Sequence, residues 1–190
     1  DKTMQLKNII KTALFTAIIA VCTLVSIKMP TGVSLTLQTF AIALAGFFLG
    51  WKYSAFAVLA YILLGVIGVP VFSNFQAGPQ VLFGLTGGFI FGFIPFAMLS
   101  GIRFKSRILR IVFSFIGLMI CHVLGVAQFA VLYKITFWKS FIMVSVPYLI
   151  KDFASVILAY LIAFAVEKRC PQVMVGIKTE DNNATPNTAA

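Results

Sequence analysis

The stretch "VPYLIKDFASVILAYLIAF", residues 146–164, reads as an apolar helix with two charges inside it, Lys151 and Asp152. A helix needs about 20 predominantly apolar residues to cross a bilayer, and this run supplies that length. A charged side chain at the bilayer centre costs roughly 3 kcal/mol or more. Such a group survives where it faces protein or a water-filled cavity. The run therefore implies a membrane span and other spans packed around it.

Composition agrees. The chain has 190 residues, of which 61% are hydrophobic and 11% charged, and its mean hydropathy is +1.03. Soluble domains carry about a quarter charged residues, so too few polar side chains exist here to cover a water-facing globule. Apolar runs lack the period-2 alternation of a porin-like barrel. The expected fold is an all-α integral membrane protein with spans near 8–27, 36–50, 53–68, 82–101, 110–133 and 141–166. The second and third are short and are expected to tilt, break or sit inside the bundle. Residues 1–168 form the six-helix transmembrane domain, and 169–190 a polar tail expected to be flexible. The N-terminal "KNIIKTALFTAIIAVC", residues 7–22, has the look of a lipoprotein signal. It is read as the first span, because the rest of the chain is equally membrane-like.

The formal charge of +10 invites a nucleic-acid reading. That reading fails because the basic residues lie in short loops between apolar spans, where they set orientation. Six spans put both termini on one side. Eleven of the 15 Lys and Arg gather there, including those of "RFKSRILR", 103–110, while Lys28, Lys134 and Lys139 lie opposite. Both termini are therefore expected in the cytoplasm. The basic loop suits lipid phosphates or a partner subunit.

Asp152 is the carboxylate inside the helical core; Asp1, Glu167, Glu180 and Asp181 lie at or beyond its ends. Fifteen residues of helix, about 22 Å, separate Asp152 from Glu167, which places Asp152 toward the outer leaflet. Tyr148, Asp152, Ser155 and Ala159 share one helical stripe. Lys151 is rotated about 100° away, so the two charges need not pair. The alternatives are a structural ion pair and a ligand group at Asp152.

Two external connections carry uncharged polar groups among aromatics. "KMPTGVSLTLQTF", 28–40, holds Thr36 and Gln38, and "GVPVFSNFQAGPQ", 68–80, holds Asn74 and Gln76. That pattern suits a small, mostly neutral ring-containing ligand, and the absence of charge from 53–102 argues against a phosphorylated one. In "LFGLTGGFIFGF", 82–93, Gly84, Gly88 and Gly92 make a packing ridge. Thr86 and Gly87 could leave backbone groups open to a ligand. Ala13, Ala17 and Ala20 make a flat face on the first helix, for internal packing or for a second membrane subunit. His122, with Gln128 two turns on, reads as a packed hydrogen-bonding residue, since no metal-ligand spacing surrounds it. Cys22, Cys121 and Cys170 are scattered and read as inert thiols. No Walker A motif, dinucleotide fingerprint, metal set or catalytic nucleophile is visible, so no cofactor and no catalysis are expected.

Three stretches together resemble one family: "VSLTLQTFAIALAGFFLG" (33–50), "YILLGVIGVPVF" with "GLTGGFIFGF" (61–93), and "VPYLIKDFASVILA" (146–159). They are similar to BioY, the biotin-specific substrate-binding subunit (S component) of energy-coupling factor (ECF) transporters. The resemblance runs from about residue 9 to 166. It implies six helices in an S-component bundle, a biotin site near the external surface, and loops after the first and third helices that close it. It implies as partners a transmembrane coupling subunit (T component) and two cytoplasmic ATPases, with Ala13 and Ala17 matching the docking motif and Asp152 the ligand-binding aspartate. The chain departs from the family pattern at Leu85, where Pro is frequent, and at Lys151 and Ser155, where Gly and Lys are frequent. Lys151 is then the candidate for the biotin carboxylate. Chemically, Asp152 suits the ureido N–H groups, while Asn74 and Gln38 suit the ureido carbonyl. Other readings stay open at this level. They are an S component for another vitamin, a proton-coupled carrier using Asp152, and an intramembrane enzyme using Asp152 or His122.

Overall fold

A computed structural model describes residues 2–175. Its order is α1 (Lys2–Leu24), β1 (Ser26–Ile27), β2 (Leu35–Thr36), α2 (Gln38–Val66), α3 (Gly87–Ser100), α4 (Arg107–Tyr133), α5 (Phe137–Val144) and α6 (Val146–Arg169). Short 3₁₀ turns at Ser73–Phe75, Pro79–Val81 and Pro171–Val173 complete it. β1 and β2 pair antiparallel, Ser26 opposite Thr36. Helices α1, α2, α4 and α6 are each long and apolar enough to cross a membrane, and α3 is a shorter apolar helix. Large apolar side chains such as Leu63, Ile67, Ile108, Val131 and Ile150 point outward. An outward apolar surface fits lipid and not water, and the chain is a multi-pass membrane protein.

Of the alternatives for the two short spans, tilt, a break or a place inside the bundle, the structure shows a break, at Gly50 between them. Its φ of 77° and ψ of 170° interrupt α2, in a region that only glycine enters cheaply. Residues equidistant from Gly50 meet. Gly46 and Ser54 both reach Ala97, and Gln38 and Tyr61 line one cavity. The helix is therefore folded back on itself into two arms, 38–49 and 51–66, which are the two short spans. Thr16 of α1 and Ser54 fasten the second arm through side-chain donors to Ala57 O (3.1 Å) and Ala97 O (3.0 Å).

Three boundaries differ from the sequence reading. The fourth span begins at Gly87 and not at 82, because Pro79–Val81 and the turn after it precede the helix. The sixth is two helices, since α5 ends at Val144 and α6 restarts at Val146. Pro147 explains the restart. A proline is at home in a first helical turn and clashes with the preceding turn of a continuous helix. The expected tail is also partly structured. Met174 and Val175 join the core, and the Val175 amide donates to Phe48 O. The remainder, 176–190, lies outside the described residues.

The glycine ridge is uneven. A Cβ on Gly88 would run into Leu124 O, and one on Gly92 would stand 2.6 Å from Cys121 Cα. A Cβ on Gly84, which precedes the helix, would meet ordinary contacts at 3.4 Å. Gly88 and Gly92 thus set the α3–α4 approach. Gly88→Ala and Gly92→Ala are expected to cost about 1–3 kcal/mol each through overpacking, and Gly84→Ala about 0.5 kcal/mol or less. Thermal unfolding of the three variants in dodecyl maltoside checks the order. Equal losses at all three would contradict it.

Candidate functional site

At the end of the bundle away from Gly50, the helices surround a small cavity of about 70 Å³. The walls come from α2, α3, α4 and α6, and the roof from Val33 and Ser34 of the loop between α1 and α2 with Phe72 and Ser73 of the loop between α2 and α3. Phe89, Phe93, Ile90 and Leu118 supply the apolar surface.

Asp152 is the carboxylate on the cavity wall, and its side chain is 7% exposed. Two groups answer it. His122 of α4 places Nε2 at 3.2 Å from Oδ2, and Lys151 places Nζ at 2.5 Å from Oδ1. A carboxylate only accepts, so Nε2 carries the proton and donates to Asp152, and Nδ1 shares a hydrogen bond with Ser145 Oγ at 2.6 Å. The lysine turns back along its own helix to make the ion pair, which the 100° rotation between neighbours left open. It spends its best hydrogen bond elsewhere, donating to Thr36 O at 2.7 Å. Asp152 Oδ1 is thus neutralised by Lys151 but has no well-aligned hydrogen bond.

Serine, histidine and aspartate stand in hydrogen-bonded sequence here, which is the order of a nucleophilic triad. Ser145 is fully buried at the α5–α6 junction and does not line the cavity. Its hydroxyl cannot meet a bound molecule, and the three residues act as a strut that holds Asp152.

Three buried side-chain atoms on this cavity have no hydrogen-bond partner among the described residues: Gln38 Nε2, Tyr61 Oη and Asp152 Oδ1. They are a donor, a donor-acceptor and an acceptor. Asp152 Oδ1 already has the Lys151 charge beside it, so Gln38 Nε2 and Tyr61 Oη are the two left unpaired. A buried polar group left so costs about 1–3 kcal/mol, and with Asp152 they mark a place that suits a polar guest.

The roof is tied down by polar contacts. Tyr148 Oη donates to Val33 O at 2.6 Å and meets Thr31 Oγ1 at 3.2 Å. Asn74 donates to Ser34 Oγ at 2.6 Å and accepts weakly from Ser26 Oγ at 3.5 Å.

Of the sequence candidates, Thr36, Gln38, Thr86, Tyr148, Lys151 and Asp152 line the cavity. Four do not. The Asn74 amide is committed to the loop–loop tie. Gln76 is exposed beyond the roof. Gln128 donates to Leu82 O and Gly84 O at 2.9 and 2.7 Å, which pins the lead into α3. Gly87 is packed beneath it, with room for no Cβ beside Leu82 O and Gln128. On α1, Ala13 and Ala17 are exposed, whereas Ala20 packs partly against the core. His122 is the main residue that sequence reasoning missed. Its hydrogen-bonding character was legible, and its partner 30 positions away was not.

Removing the imidazole strands Asp152 Oδ2 and Ser145 together. His122→Ala is expected to lower stability by about 3–5 kcal/mol, the cost of breaking a buried pair from one side. His122→Gln, which can still donate to Asp152, should recover at least half of it. Denaturant unfolding of both variants in detergent reads the difference. A neutral His122→Ala would remove the strut.

A model of the BioY family matches residues 1–172. The chain is 39% identical over 168 residues to the biotin transporter BioY of Thermotoga maritima, spanning 86% of this chain and 97% of that one. It is 34% identical over 164 residues to a probable biotin transporter BioY of Pyrococcus horikoshii, spanning 84% and 96%. Among solved structures, the S component for biotin from an ECF-type ABC transporter superposes with a TM-score of 0.78, at 23% identity over 88% of this chain and 94% of that one. The relatives are named as transporters, and the fold is that of an S component.

Proposed function

The chain belongs to the BioY family, and on that premise we propose that it is the high-affinity biotin-binding S component of an ECF-type vitamin uptake transporter. The observation that carries this reading is the set of buried polar atoms without a hydrogen-bond partner, Gln38 Nε2, Tyr61 Oη and Asp152 Oδ1, in a cavity also lined by Phe89, Phe93 and Leu118. Biotin's ureido ring offers two N–H donors and one carbonyl. Asp152 Oδ1 accepts from a ureido N–H, and Gln38 Nε2 donates to the carbonyl, with Tyr61 Oη beside it. The thiophane ring and valeryl chain lie against Phe89, Phe93 and Leu118. Lys151, with its side chain 23% exposed, is the cation available to the carboxylate. Thr36, Thr86 and Tyr148 complete the wall and roof.

The protein captures and does not catalyse. The work of transport falls to a T component and two ATPases on the cytoplasmic side. The exposed Ala13–Ala17 face of α1 is where the T component docks. Both termini lie in the cytoplasm of a prokaryotic cell, and the cavity mouth faces outward. This orientation is supported by the positive-inside bias of the loops.

Neither Trp51 nor Trp138 lines the cavity, so calorimetry is the better readout of binding. One biotin per chain is expected, with no heat from thiamin or riboflavin. Asp152→Asn should weaken biotin about 10–100-fold, as expected for loss of a hydrogen bond to a charged group. Gln38→Leu should weaken it about tenfold. Unchanged affinity in both folded variants would overturn the site, and absence of binding in folded wild type would overturn biotin as ligand.

Docking separates from capture. Ala17→Trp is expected to leave biotin affinity within about twofold, because the residue is remote from the cavity, and to abolish co-purification with the coupling subunit through steric block of a close helix approach. Retained co-purification would move the docking face elsewhere.

A further inference from the structure

The fourth buried side-chain atom without a hydrogen-bond partner among the described residues lies at the opposite end of the molecule. It is Nη1 of Arg103. The same guanidinium donates through Nη2 to Phe48 O at 3.2 Å and Val175 O at 2.6 Å. Arg103 borders a hollow between the start of α4 and the end of α6, together with Lys105, Arg107, Arg110, Glu167 and Lys168.

The charges in this hollow do not balance. Glu167 is the one carboxylate lining it, and Arg110 Nη1 occupies it at 2.9 Å. Arg103, Lys105, Arg107 and Lys168 have no acidic partner among the described residues. Burial first, and then the Arg110 charge, hold the Arg103 pKa below its ordinary value, with Glu167 acting the other way. The surroundings are short of negative charge. The 27-residue α4 begins at Arg107, and the Ser106 side chain makes no cap bond. The free N–H groups of its first turn and the positive end of its dipole add to the same sign.

The location selects the anion. The hollow sits at the ends of membrane-crossing helices. Ile108 and Leu109, next to Arg107 on α4, are 73% and 42% exposed and suit acyl chains. One wall is aromatic, with the Arg107 guanidinium 4.4 Å from the Phe164 ring centre. Cations at headgroup level above an apolar, lipid-facing flank match a phospholipid better than a free ion.

We propose that this hollow binds the phosphate headgroup of an anionic phospholipid in the leaflet that faces it. Arg103 adds its charge at the edge of the hollow, and Arg107 and Lys168 close over the phosphate from the two helices. The lipid anchors the α4–α6 end of the bundle, and it is independent of the biotin cavity at the other end.

The test uses the full-length protein in dodecyl maltoside, offered phosphatidylglycerol or phosphatidylcholine and read by native mass spectrometry. The site variant is Arg107→Gln with Lys168→Gln. The control, Lys134→Gln with Lys139→Gln, removes the same charge from the other end of the protein. Retained biotin binding certifies the fold of each. Wild type and control are expected to hold phosphatidylglycerol about tenfold more strongly than phosphatidylcholine. The site variant should lose about tenfold or more for phosphatidylglycerol, as two cations near an anionic surface imply. Equal loss in both variants would reduce the effect to net charge and overturn the site. Binding of inorganic phosphate as tight as that of the lipid would make it a soluble-phosphate site. If Glu180→Gln with Asp181→Asn raised lipid affinity tenfold, the chain's own tail would be the occupant. A site variant that kept its lipid but lost co-purification with the coupling subunit would assign the hollow to protein docking. Each of these last three results overturns the lipid proposal.

Discussion

The structure depends on keeping one carboxylate inside a membrane. Asp152 is nearly buried, and no span can carry it without partners. Its partners come from two directions. His122 reaches it from α4, itself held by Ser145 at the α5–α6 junction. Lys151 reaches it from the next position on α6 and, with the same ammonium, holds Thr36 O at the root of α2. Neutralising one charge thereby fixes the relation of α2, α4 and α6, the three elements that supply the polar side of the cavity. The electrostatic constraint and the placement of the site are one arrangement.

Helix–helix distance is set separately, by small residues where polar ties are scarce. Gly88 and Gly92 let α3 lie against α4, and Gly46 lets the first arm of α2 lie against Ser100. These contacts add van der Waals packing between helices that lipid would solvate equally well. A tight middle leaves room for the cavity at the end away from Gly50 without loss of the bundle. The space so opened is roofed by loops with few backbone ties of their own. The two-residue β1–β2 ladder and the Phe72–Gln76 bridge are the regular pairings there. Side chains do the rest, through Tyr148, Asn74 and Lys151.

Much of this was legible in the chain, for physical reasons. Hydrophobic length located the spans, and the shortness of the second and third signalled an irregularity that could have been tilt, a break or burial in the bundle; the structure shows a break at Gly50. The cost of a charge in hydrocarbon singled out Asp152 before any geometry was known. Side-chain commitments were not legible. Asn74 and Gln128 look like ligand groups by type, yet each is consumed by a loop backbone or a loop side chain. Gln38 looks no different in sequence and keeps its donor free. Which amide is spent and which is available depends on contacts 40 or more residues apart. His122 read as a packed hydrogen-bonding residue and is one, but its partner did not show, since helical periodicity fixes a residue's face but not the neighbour that face will meet. The α5–α6 junction was readable in principle from Pro147 and was hidden by the unbroken apolar run across it.

The Asp152–Lys151 pair also limits how a biotin-like anion can lie. As it stands, the pair is neutral and each member satisfies the other. A carboxylate placed deep beside Asp152 would add a second negative charge in low dielectric with no second cation on the cavity wall. A ureido ring placed there adds donors and no charge, and it meets the one oxygen of Asp152 that lacks a well-aligned hydrogen bond. The carboxylate is then driven to the roof end, where Lys151 is partly exposed and solvent can share the charge. On the proposed reading the ligand therefore lies ring inward and chain outward. Its acidic end comes up against the loops that must part for it to leave, at Thr36, whose carbonyl Lys151 already holds.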